Sequence, residues 1–170
     1  MEVLTTLKDR IPDYAKDIRL NIDGAIGRSS LPWEDALGIA LAAAFAARSQ
    51  PLVEALKGAT PAAEANAALT AAALMGMNNV WYPYVEMAGD DDLKTQRAEL
   101  RMNAYATSGG VDKKKFEAYA LAASIVGKCH FCVSSHYALL KKEGMTTQQL
   151  RDIGRIAAVV NAAAQVIAAG

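Results

Sequence analysis

Apolar residues recur along this chain at three- and four-residue intervals, and nowhere with the alternation of a half-buried strand. Val3, Leu4, Leu7 and Ile11 set a first helical stretch. Pro12 suits the first turn of a second helix, in which Tyr14, Ile18, Ile22 and Ile26 repeat up to Gly27. Arg28 to Pro32 breaks the pattern. Ser30 is placed to cap the next helix, and Glu34 and Asp35 suit the positive end of its dipole. The body of that helix, Ala36 to Arg48, is apolar nearly all round, which predicts a helix at the centre of the core.

Gln50-Pro51 opens a short helix closed at Gly58. Thr60-Pro61 reads as a cap and first helical residue, with Glu64 in the capping-box position. The alanine-rich helix begun there is expected to run to about Met75. The stretch Gly76 to Tyr84, with Pro83 inside it, predicts a break and then more helix. Asp90 to Asp92 can start another helix ending near Thr107 to Gly110. Asp112 caps one that reaches Gly127, the next carries both cysteines and stops at Glu143-Gly144, and Thr146 or Thr147 caps the last. The fold class expected is all-α, in one domain over residues 1–170. Aligning Gly76 with Gly127 superposes two alanine-rich helix–glycine–helix segments, with Asn78 opposite Cys129, Trp81 opposite Cys132 and Val85 opposite His136. That register suggests two related halves, roughly 1–90 and 91–170.

Composition narrows the partners. Basic and acidic residues balance at 18 each, and no basic block stands out, so nucleic acid and anionic membrane surfaces are poor partners. No uninterrupted apolar run approaches the ~20 residues that span a bilayer, and the N-terminus lacks the order of a signal peptide. The only two cysteines lie three positions apart, a spacing that staples no distant elements together. A reversible dithiol in a reducing cytoplasm is the expectation.

The chemistry concentrates at Cys129-His130-Phe131-Cys132. At ~100° per residue, Cys129, Cys132 and His136 share a narrow arc of one helix face, and Cys132 and His136 stand i, i+4. A thiol is nucleophilic only as thiolate, so an imidazole in contact with Cys132 would matter. His130 points a quarter turn away and can at most tune the pair, while Phe131 is expected to pack inward. Glu117 is the single carboxylate in the apolar run Phe116 to Gly127. Buried there without a cation it would be pushed up towards neutrality, as a proton relay requires; facing water, it would be a first-turn surface residue. The cysteine pair itself is open to redox, zinc-binding and incidental readings. Met75, Met77, Trp81 and Tyr82 read as core packing.

At Glu117, Cys129-x-x-Cys132 and His136 the chain resembles the alkyl hydroperoxide reductase D (AhpD) family of the carboxymuconolactone decarboxylase-like superfamily. The likeness extends through Ile11-Pro12-Asp13-Tyr14-Ala15-Lys16-Asp17-Ile18, Met75-Gly76-Met77-Asn78-Asn79-Val80 and Leu100-Arg101-Met102-Asn103. It implies an all-α homotrimer whose dithiol reduces alkyl hydroperoxides. It also implies a dithiol that reduces the disulfide of a partner peroxiredoxin, AhpC. Electrons would come from dihydrolipoamide on a 2-oxo-acid dehydrogenase subunit, and no cofactor would be bound. By position Cys132 matches the peroxide-attacking thiol, Cys129 its resolving partner, and His136 and Glu117 the relay. Some members carry a histidine where this chain has Phe131, so His130 inherits no role. The alternatives are a non-redox decarboxylase-like enzyme on the same fold and a metal-binding helical module.

Overall fold

The computed structural model describes residues 1–170 as ten α-helices without strands. They are α1 (Glu2–Lys8), α2 (Lys16–Ile22), α3 (Trp33–Ala46), α4 (Gln50–Ala59), α5 (Ala62–Ala88), α6 (Asp91–Thr95), α7 (Asn103–Ala106), α8 (Lys113–Gly127), α9 (His130–Lys142) and α10 (Thr147–Ala169). Helix α3 is the axis. Every residue from Ala36 to Ala44 is buried, and α3 packs against α4, α5, α8 and α10. Alanines let the backbones approach closely. At Gly38 even one methyl is too much, since a Cβ there would lie 2.5 Å from Cε1 of Tyr119 in α8.

Helix α5 runs unbroken through the expected breakpoint, with Gly76 exposed on its outer face and Pro83 inside it. Glycine and proline each weaken an isolated helix, by about 1 and about 3 kcal/mol. Packing against α8 and α9 along this length outweighs both. The helix expected from Asp90 to Thr107 is instead cut into α6 and α7 by an irregular segment. Gln96, Arg97, Glu99, Leu100 and Arg101 there are all exposed, and a helix with no face to bury does not persist. The second expected helix is likewise subdivided, into a 3₁₀ turn (Asp13–Ala15), α2 and a π turn (Asp23–Gly27).

Two expected caps do other work. The Ser30 backbone N–H and hydroxyl both donate to Asp152 of α10, at 2.8 and 2.7 Å, leaving Pro32 to start α3. Burial acts to raise the Asp152 carboxyl, but the donors from Ser30, Arg151 and Arg155 outweigh it and hold the group well below the usual carboxylate range. Thr60 donates its hydroxyl to Leu56 O and closes α4, and Glu64 turns to α8 rather than capping α5. Thr146 does cap α10, through a reciprocal capping box with Gln149. Helix α10 is long and apolar enough to cross a membrane by length and composition. Here it carries the fully buried Ile153, Ile156 and Ala157 and packs on α3 and α8.

Candidate active site

The dithiol sits where α8 stops and α9 starts. Lys128 adopts the left-handed conformation (φ 54°), Cys129 is extended, and α9 begins at His130. Asn79 of α5 occupies the space beside Gly127, where a Cβ would lie 2.1 Å from Asn79 Nδ2, so only glycine fits at the last position of α8. That amide donates to the Ala123 carbonyl of α8 at 3.1 Å. Cys129 is therefore the N-cap of α9 rather than a member of it. Its sulfur accepts the Cys132 N–H at 3.3 Å, where an oxygen would usually serve.

Cys129 and Cys132 are joined in a disulfide, with Cα atoms 5.3 Å apart. Both sulfurs face the backbone carbonyl oxygen of Asn78, at 3.8 and 3.7 Å. Cys129 has no exposed surface and Cys132 has 2%. The side chain of Cys132 borders a cavity of about 390 Å³ shared with His136, Asn78, Tyr105, Tyr82 and Phe131.

Glu117 is buried in α8, which removes the water-facing alternative. Its Oε2 lies 2.6 Å from His136 Nδ1, and its Oε1 accepts the Tyr105 hydroxyl. Burial acts to raise the Glu117 carboxyl, as the sequence suggested. The donors from His136 and Tyr105 outweigh it and leave the group below its ordinary value. Glu117 is thus a carboxylate held ionised by its partners, not one held near neutrality. Burial, then the hydrogen bond to Glu117, pushes the Tyr105 phenol up, so it remains a donor.

An ionised Glu117 requires the proton to sit on His136 Nδ1. The other ring nitrogen, Nε2, lies 3.2 Å from Met75 Sδ. No hydrogen bond joins His136 to Cys132, although i, i+4 spacing suggested direct contact. The anchor on α8 sets the imidazole plane, and that plane directs Nε2 at Met75; the ring and Cys132 meet through the shared cavity. His130 is exposed and pairs with Glu86 of α5 at 3.1 Å, away from the sulfurs. Phe131 does not pack inward. It is 55% exposed and stacks on Tyr82, ring centroids 4.2 Å apart, as one wall of the cavity.

Three participants are not visible in the sequence pattern. Tyr105 lies in a segment expected to be one continuous helix, with no periodicity to mark it. Met75 reads as core, and it is fully buried, but it also touches the histidine. Asn78 contributes a backbone atom, which no side-chain pattern reveals. No group of three or more His, Cys, Asp or Glu side chains is arranged to hold a metal ion. What is assembled is a redox-competent sulfur pair, a buried carboxylate–imidazole dyad and a phenol, around one cavity.

Over nearly its whole length the chain is similar to known proteins. The carboxymuconolactone decarboxylase family profile matches residues 91–169, the span that holds Tyr105, Glu117, both cysteines and His136. The chain is 42% identical to the alkyl hydroperoxide reductase AhpD of Rhodospirillum centenum, over 96% of this chain and 90% of that protein. It is 42% identical to the AhpD of Streptomyces coelicolor, over 94% and 91% of the two chains. The AhpD of Coxiella burnetii is 38% identical, over 96% of each chain.

Proposed function

The chain belongs to the alkyl hydroperoxide reductase AhpD family, within the carboxymuconolactone decarboxylase-like superfamily, and on that premise we propose that Cys129 and Cys132 form a dithiol that reduces alkyl hydroperoxides. The observation that carries the reading is that Cys132 of the disulfide shares one cavity with His136, the imidazole anchored by Glu117.

In the reduced enzyme the Cys132 thiolate attacks the terminal peroxide oxygen. The O–O bond breaks, a proton completes the alcohol, and Cys132 becomes a sulfenic acid. Cys129 then attacks that sulfur, closing the disulfide and releasing water. His136 delivers and receives the protons, Glu117 holds its ring and compensates the imidazolium charge, and Tyr105 holds Glu117. A dithiol donor of the dihydrolipoamide type restores the pair. Its first thiolate attacks Cys132 from the cavity and expels Cys129 as a thiolate, which the N–H of Cys132 stabilises at the helix N-terminus. The donor's second thiol resolves the mixed disulfide.

The same exchange would reduce the disulfide of a peroxiredoxin, AhpC, with electrons drawn from a lipoyl-bearing 2-oxo-acid dehydrogenase subunit. We further propose a homotrimer working in the cytoplasm, where so small a disulfide loop is readily reopened. No bound cofactor enters this cycle. A non-redox reaction of the decarboxylase type would have no use for two thiols at one helix start.

The test is stoichiometric. The reduced protein, mixed with one equivalent of alkyl hydroperoxide, should lose two hydrogens, with peptide mapping placing Cys129 and Cys132 in one linked peptide. Recovery of both as free thiols would contradict the reading.

A further inference from the structure

Resting on that reading, we propose that Met75 is a positioning residue whose thioether is a deliberately weak resting partner for His136 Nε2. Met75 has no exposed surface. Its sulfur lies 3.2 Å from Nε2 and 4.0 Å from the side-chain amide of Asn78, the residue whose carbonyl faces both cysteine sulfurs. The thioether therefore touches the proton carrier and the helix turn that borders the disulfide. Nothing else hydrogen-bonds Nε2, and Nδ1 is committed to Glu117 at 2.6 Å.

The choice of sulfur reflects what the nitrogen must do. A buried ring nitrogen without any partner is unfavourable. Once Nε2 takes up a proton, an oxygen acceptor in the same place would bind Nε2–H strongly and hold it away from Cys132. A thioether is a weak acceptor: it orients the ring and relinquishes it when a thiolate or a peroxide oxygen enters the cavity. Because Nδ1–H is committed to the carboxylate, the proton that His136 takes up and gives back is one on Nε2, and only while it is there does the Met75 sulfur accept it.

Two variants separate this role from packing. Met75→Leu conserves volume well enough for a core to accept it but removes the acceptor. Met75→Gln supplies a strong one. With hydroperoxide and a dithiol donor, Met75→Leu should lower turnover by about ten-fold, a fraction of the ~10²–10⁴-fold that positioned acid–base groups supply, and shift its pH profile. Met75→Gln should lower it further. Independently of turnover, ¹⁵N spectra of the disulfide form should show the His136 Nε2 resonance moving in both variants while Nδ1 keeps its signature of bonding to Glu117. Selenomethionine, a similar soft acceptor, should retain wild-type behaviour. An unmoved Nε2 resonance and pH profile in well-folded Met75→Leu would reduce Met75 to core packing, whatever the fate of the peroxidase reading. Moved resonances with no peroxide turnover in the wild type would uphold Met75 and sink the peroxidase reading instead.

Discussion

Two carboxylates in this molecule, Glu64 partly buried and Glu117 fully buried, are held in the same way and are placed to do different things. Glu64, at the start of α5, accepts the Tyr119 hydroxyl at 2.6 Å and Lys115 Nζ at 2.8 Å. Glu117 accepts the Tyr105 hydroxyl and His136 Nδ1. In both, burial acts to raise the carboxyl and the donors outweigh it, so both sit below the ordinary range. The difference lies in the nitrogen partner. Lys115 is a permanent cation, its ammonium favoured chiefly by the Glu64 hydrogen bond and shared with Asp35 at 3.3 Å. That cluster ties α3, α5 and α8 together and has no proton to exchange near neutral pH. The partner of Glu117 is instead an imidazole, with a second ring nitrogen, and it opens onto the cavity that Cys132 lines. A carboxylate held by donors therefore does not by itself mark a candidate relay; an imidazole partner that shares a cavity with a cysteine does.

Exchanging each carboxylate for its amide should separate the two clusters most widely. Glu117→Gln should cut peroxide turnover at least ten-fold, within the ~10²–10⁴-fold range of general acid–base assistance, with helicity intact. Glu64→Gln should leave turnover near wild type. A steady-state assay with hydroperoxide and a lipoyl donor reads both, and comparable losses would erase the distinction.

The same pair sharpens the comparison in stability. Glu64→Gln leaves Lys115 with only Asp35 and weakens two charge-assisted hydrogen bonds, so denaturant unfolding should show a loss of about 1–3 kcal/mol at neutral pH. Both carboxyls lie lower when folded than unfolded. Their stabilisation is thus present above the unfolded glutamate value of about 4.3 and fades as pH falls through the lower folded values. Below about pH 4 the penalty of Glu64→Gln should accordingly shrink. A penalty that grows towards low pH would mean Glu64 is not held ionised.

Much of this is legible in the sequence, because helices with one-sided or all-round apolar patterns announce themselves. The all-α class, the central helix at Ala36 and the capped start of α10 all arise from local spacing. The site is legible as a cast of residues: Cys129, Cys132, His136 and Glu117 do meet around one locus. The arrangement among them is not, because it depends on long-range contacts. Gly76 and Gly127 align in sequence, yet α5 continues through the first and α8 stops at the second. Residue 127 must be glycine because the side chain of Asn79 of α5, far earlier in the chain, fills the space beside it. Helical periodicity pairs the histidine with Cys132. A carboxylate on the neighbouring helix turns it to Met75 instead.

The two sulfurs are unequally placed. The Cys132 N–H at the helix start points at Cys129 Sγ, where it would stabilise a thiolate, whereas Cys132 shares the cavity with the His136 imidazole. We take access to His136 as the larger effect, since a histidine can lower a cysteine pKa by several units and a helix terminus is worth ~0.3–1 kcal/mol at exposed sites. Mass spectrometry of the single serine variants after one equivalent of hydroperoxide tests this most directly. Cys129→Ser should carry one sulfenic acid or mixed adduct at Cys132 and fail to turn over, while Cys132→Ser should not react. A reactive Cys132→Ser with an inert Cys129→Ser would make Cys129 the attacking thiol and contradict the account.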